Sequence, residues 1–184
     1  MTRNRAIEAT AYVFRPGERV LIDANVWIYL QPPVSKPPPG YSWQYSATLK
    51  NLIAARATPV IEALVLSEYI NRYLRIEYSV SWLGRYHKFK DFRTSPDFAS
   101  VASAAIGDAR QILKLTSPQE TPFPQVDLPS VLAETEAGTI DFNDGVLVET
   151  CRICGLKLLT NDSDMTIGGI DVLTSNPRLL AACP

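Results

Sequence analysis

Asp23, Glu68, Asp144 and Asp162 each stand at the edge of an apolar segment, in V-L-I-D-A-N, V-L-S-E-Y-I-N-R, D-F-N-D-G-V-L-V and L-L-T-N-D-S-D. A folded chain gathers several carboxylates only where something positive neutralises them, because an unpaired charge withdrawn from water costs several kcal/mol. Hard divalent cations such as Mg²⁺ or Mn²⁺ take oxygen ligands and keep several waters, so this pattern of acids reads as a metal site with open coordination positions. Such a site lowers the pKa of a bound water and stabilises charge developing on a phosphate oxygen, the two demands of phosphodiester hydrolysis. Each acid also has a plainer reading. Asp23 can cap the helix after it, Glu68 can pair with Arg72, Asp144 suits the positive end of a helix, and Asp162 with Asn161, Ser163 and Asp164 composes a polar turn. The conjunction of four acids, rather than any one, points to chemistry.

The elements that must position them follow from patterning. Residues 19–23 form a compact apolar run after the Pro16-Gly17 turn signal and predict a buried strand with Asp23 at its carboxyl end, where open α/β sheets collect ligands. A short helix over residues 24–30 precedes a proline-rich surface loop over residues 31–40. Helical spacing covers residues 43–57 and 61–83, the latter with an apolar stripe at Leu66, Tyr69, Ile70 and Tyr73 and with Glu68 on another face. Another helix spans residues 97–115, and the proline-broken connection 118–129 holds a short strand around Val126. A small helix at 129–137 is followed by one at 142–154, capped by Asp141 and ended by Gly155. Strands are predicted at 156–160 and 170–174, and a last helical turn at 176–181. The order predicts an α/β fold with a small, mainly parallel sheet flanked by helices.

The 184 residues suit one domain, with 46% hydrophobic and 20% charged residues. No apolar stretch approaches the ~20 residues of a membrane helix, and no signal peptide is evident, so the expected location is cytoplasmic. A net charge of -1 confines any nucleic-acid contact to a local patch. Three cysteines argue against a disulfide framework, and Cys151 and Cys154, though spaced C-x-x-C, lie in a helical pattern and read as core residues.

These acidic segments resemble, in order and from Val20 to about Asp164, the motifs of PIN-domain ribonucleases, and within them the VapC-like toxins of toxin-antitoxin pairs. The resemblance implies a PIN-like fold, with Asp23, Glu68, Asp144 and Asp162 around Mg²⁺ or Mn²⁺. It further implies metal-dependent endoribonuclease cleavage of RNA by an activated water, a small antitoxin protein as partner, and a homodimer. Asp141 competes with Asp144, and Asp164 with Asp162; Asp162 is taken as the ligand, with Asp164, Asn25 and Thr160 as outer support. Ser67 and Asn143 also stand beside the acids. The chain departs from the compact family pattern in its proline-rich segment and in the long helical stretch after Glu68.

RNA would meet a basic zone of Arg72, Arg75, Arg85, Lys88, Lys90 and Arg93, interleaved with Tyr73, Tyr78, Trp82 and Tyr86. The competing reading is the solvated and core sides of ordinary amphipathic helices. Two alternatives to a toxin stay open: a housekeeping RNA-processing nuclease, and a non-catalytic RNA- or protein-binding module on the same fold.

Overall fold

The computed structural model describes residues 2–36 and 40–184, so Pro37, Pro38 and Pro39 of the expected proline-rich loop lie outside the described residues. Six strands, β1 (Arg5–Glu8), β2 (Arg19–Ile22), β3 (Thr58–Glu62), β4 (Ser117–Gln119), β5 (Lys157–Leu159) and β6 (Asp171–Thr174), form one sheet. Their order is β1-β6-β5-β2-β3-β4, and every ladder is parallel. Consecutive residues of the central strands are buried, as in Val20-Leu21-Ile22 and Leu158-Leu159. Successive strand side chains point to opposite faces, so both faces are covered.

The helices that cover them are α1 (Ala24–Leu30), α2 (Ser42–Ala54), α3 (Ala63–Glu77), α4 (Phe89–Arg93), α5 (Phe98–Leu115), α6 (Leu128–Glu136), α7 (Phe142–Cys154) and α8 (Pro177–Ala182). A π-helical turn, Tyr78–Trp82, extends α3. One connected core runs through the sheet, α1, α2, α3, α5 and α7, and a smaller cluster of Val126, Val131 and Val146 lies between α6 and α7. No helix among the described residues is long and apolar enough to cross a membrane.

The sheet is larger than the pattern predicts. Ile61 and Glu62 end β3 instead of opening a helix, and the strand around Val126 is replaced by β4 and a 3-10 turn at Phe123–Gln125. Proline hides both strands. Pro59 sits in β3 before β4 begins to pair at Val60, and Pro118 sits on the sheet edge, where a missing N–H is tolerated. Arg56, at φ 57°, turns the chain from α2 into β3.

The strand order reverses direction at β2: the chain leaves β2 for β3 on one side and later returns to β5 on the other. Ligand crevices of open α/β sheets form outside the carboxyl ends of the strands at such a switch point. Asp23 follows β2, and Thr160 to Asp162 follow β5.

Candidate functional site

Asp23 is the N-terminal flanking residue of α1, but its side chain makes no capping bond to the helix. Its Oδ2 instead accepts a 2.6 Å bond from the Thr160 hydroxyl and a 2.6 Å bond from Asn25 Nδ2. The same Thr160 oxygen accepts from Asn25 Nδ2 at 3.1 Å and from the Asp162 amide at 3.0 Å. Asn25 Oδ1 in turn accepts from the Asn161 amide at 2.9 Å. The ends of β2 and β5 are therefore stitched together by Asn25 and Thr160, which hold a carboxylate only 4% exposed.

The third acid comes from α7. Asp141 caps this helix, its Oδ1 accepting from the Asp144 amide at 2.9 Å, and Gly155 closes the other end in the left-handed conformation. That bond commits one Asp141 oxygen to the helix terminus, while Asp144, one turn in, is half-buried. Gly145 lets α6 approach this first turn, since a Cβ there would lie 2.8 Å from Val131 Cγ1. A cleft of about 570 Å³ is lined on one side by Gly138, Thr139, Asp141 and Asp144 and on the other by Asp162, Asp164 and Thr166. Asp162 Oδ1 accepts from the Asp164 amide at 2.9 Å, so the polar-turn reading of this segment also holds. Asp164 is exposed.

Glu68 reaches the site from α3. It is half-buried and pairs with Arg72 at 2.9 Å, as helical spacing predicts. Burial pushes the Asp23 carboxyl up to about 6; the Thr160 bond opposes the rise, and the charges of Glu68 and Asp162 add to it. Burial likewise pushes Asp144 up to about 8, reinforced by Asp141, Asp23, Asp162 and Glu68. The four predicted acids thus share one field, and no cation is among the groups acting most strongly on Asp23 or Asp144.

They do not form a ready chelate: among the described residues no three His, Cys, Asp or Glu side chains converge closely enough to hold a metal ion. Local donors hold three of the four, Asp23 through Thr160, Asp162 through the Asp164 amide and Glu68 through Arg72. The donor set is nonetheless all oxygen, and no Lys or Arg among the described residues pairs with Asp23, Asp144 or Asp162, which fits a hard divalent cation such as Mg²⁺ or Mn²⁺.

The expected basic zone divides. Arg75 lies over the Phe89 ring at 4.9 Å, and Arg85 pairs with Asp97 at 2.8 Å. Tyr73 is fully buried, and Tyr78, Trp82 and Tyr86 pack around buried Phe92 at 5.4 to 5.7 Å between ring centroids, so these aromatics serve the core. Ser67 accepts a bond from Asn71 rather than supporting an acid. Cys151 is buried in the core, and burial pushes its thiol up, in keeping with the packing role.

Residues absent from the predicted set complete the surroundings. Asn161 donates to Tyr29 Oη at 3.0 Å and accepts from Tyr45 Oη at 2.7 Å, and Asn176 donates to the Asn161 carbonyl at 2.7 Å. Lys36 and Arg72 share a narrow cleft of about 130 Å³ with Tyr29 and with Asn25, the residue that also holds Asp23. The signal for Lys36 was a lone cation within the proline-rich segment.

No protein-family model matches the chain, and no curated protein matches it. Among similar solved structures is the crystal structure of PAE2754 from Pyrobaculum aerophilum, 24% identical over 84% of each chain with a TM-score of 0.48.

Proposed function

We propose that this chain is a metal-dependent endoribonuclease of the PIN type, hydrolysing RNA phosphodiester bonds with water as the nucleophile and serving as the toxin of a toxin-antitoxin pair. The observation that carries the reading is that Asp23, Glu68, Asp144 and Asp162 act on one another at the β2/β5 switch point, with Glu68 alone of the four paired to a cation among the described residues. Asp23, Asp144, Asp162 and Glu68 would hold Mg²⁺ or Mn²⁺, which when bound supplies an acidified water and neutralises charge on the phosphate.

The chain's own residues do the rest. Thr160 and Asn25 orient the Asp23 carboxylate, and Asp144 keeps its proton near neutral pH until positive charge is bound beside it. On this reading Lys36 and Arg72, which line one cleft with Asn25, would take the RNA backbone as it leaves the acids. Arg75 is exposed and would add positive potential further along, whereas the charge of Arg85 is met by Asp97. An antitoxin would present a basic residue to the acidic cleft, and two copies of the toxin would pair.

The test is cleavage of single-stranded and structured RNA in Mg²⁺ or Mn²⁺ by the wild type and by Asp23→Asn. Loss of about a hundredfold or more in rate supports the assignment. Equal cleavage by the two proteins sinks it, and tight RNA binding without cleavage would turn the reading to a binding module. Co-purification of a small DNA-binding protein encoded beside this chain separates a toxin from a housekeeping nuclease.

A further inference from the structure

A second cavity, of about 290 Å³, lies where the end of α3 and the π-helical turn meet α5, with Val34 and Ser35 over it; none of the acids of the candidate site lines it. The charged residue in its lining is Glu77, 6% exposed, which accepts one bond, from the Ser35 amide at 2.8 Å on Oε1. No Lys or Arg among the described residues pairs with this carboxylate; Lys36, the nearest cation in sequence, lines the cleft beside Arg72 instead. A carboxylate so withdrawn from water without a cation is costly.

Two hydroxyls in the same wall are also unsatisfied. Tyr73, one helical turn before Glu77 and on the same face of α3, is fully buried, and its hydroxyl has no hydrogen-bond partner among the described residues. The Val34 amide leans toward the Tyr73 oxygen without making a bond of normal geometry. The Ser35 hydroxyl is likewise buried and unpartnered. Native interiors leave few such groups, and two of them beside a buried carboxylate with no paired cation call for an occupant.

The chemistry of that occupant follows from the inventory. A carboxylate oxygen and two hydroxyl oxygens offer three acceptors, the number of donors on a primary ammonium. The rest of the wall is Val34, the indole of Trp82, Val101 and Ala104, together with the exposed Ser81 and Ser100, and its apolar part suits an alkyl chain with a cation at its end. We propose that this cavity binds the ammonium end of an aliphatic amine, with Glu77 as its counter-charge and Tyr73 and Ser35 as its remaining partners. The amine is either a free diamine or the side chain of a partner's lysine, which present the same group. This site stands independently of the nuclease reading.

Calorimetric titration of the full chain with 1,4-diaminobutane and with Nα-acetyl-lysine amide tests it. Saturable binding is expected, weakened at least about tenfold by Glu77→Gln, which keeps an acceptor for the Ser35 amide, and by Ala104→Leu, which fills the cavity without touching the carboxylate. Asp144→Asn leaves it unchanged, and tetramethylammonium, with no N–H, does not bind. Preference for the lysine derivative assigns a protein source, and preference for the diamine a free one. The proposal fails if the wild type binds neither amine saturably, if Glu77→Gln binds as tightly as the wild type, or if Asp144→Asn weakens binding equally.

Discussion

Asp144→Asn is expected to stabilise the protein in the absence of divalent cations, and much more at pH 8 than at pH 5. Burial, with the charges of Asp141, Asp23, Asp162 and Glu68, raises this carboxyl from 3.8 to about 8. The unfolded chain loses the same proton near pH 4, so between about pH 4 and pH 8 the folded protein holds a proton that the unfolded chain has released. Stability therefore falls as pH rises through that window, and the penalty is complete only above the folded value. At about 1.4 kcal/mol for each tenfold change in proton affinity, the rise amounts to at most about 6 kcal/mol. Water screens much of this at a half-exposed carboxyl, leaving about 2 kcal/mol, or roughly 4 to 8 °C in melting temperature for a chain of this size. Asparagine cannot ionise and so escapes the penalty. The assay is thermal unfolding followed by circular dichroism in a chelating buffer at pH 5 and pH 8, repeated with millimolar Mg²⁺ or Mn²⁺. The wild type should regain the difference when the cation is added, and the variant should not. A variant that melts at or below the wild type at pH 8, or gains as much at pH 5, would refute an uncompensated field at Asp144.

Three further outcomes follow from the geometry. Thr160→Val removes the hydroxyl that donates to Asp23 and accepts from Asn25 and the Asp162 amide, and should cost about 1 to 3 kcal/mol in urea unfolding, with any RNA cleavage falling alongside. Gly145→Ala places a methyl 2.8 Å from Val131 and should destabilise by about 1 to 3 kcal/mol; restoring room with Val131→Ala in the double variant should recover part of the loss. Arg72→Ala frees the Glu68 carboxylate of an exposed ion pair, so stability should change by less than about 1 kcal/mol while Mn²⁺ binding, read by calorimetry, strengthens.

The parts of the fold legible in the sequence are those with strong local signals. The apolar run ending at Asp23, the Asp141 cap and the left-handed Gly155 each identify an element without reference to the rest of the chain. β1, β3 and β4 escaped because Arg5 to Glu8 has charged ends, and because Pro59 and Pro118 argue against strands unless one knows which ladder positions lack a partner. The candidate site divides in the same way. Carboxylates at element ends were visible as a set, and Asn25 and Thr160 were visible as their neighbours. The commitment of Asp141 to a helix cap, the pairing of Glu68 with Arg72 and the inward packing of Tyr78, Trp82 and Tyr86 around Phe92 depend on which face each element turns. The links from Asn161 to Tyr29 and Tyr45 span more than a hundred residues and leave no local trace.

The Asn25–Thr160 stitch across the ends of β2 and β5 also decides how a ligand can approach. In an open switch point the gap between two strand ends is a slot into which a flat group can slide edge first. Here the slot is sealed by side chains at 2.6 to 3.1 Å, with Asp23 beneath them. Under the proposed function, a strand meeting these acids would lie across the seam, from the cleft of Asp144 and Asp162 toward Lys36 and Arg72. A polymer held in that way would be gripped by its repeating backbone, and selectivity among sequences would fall to the rims of the groove rather than to its floor.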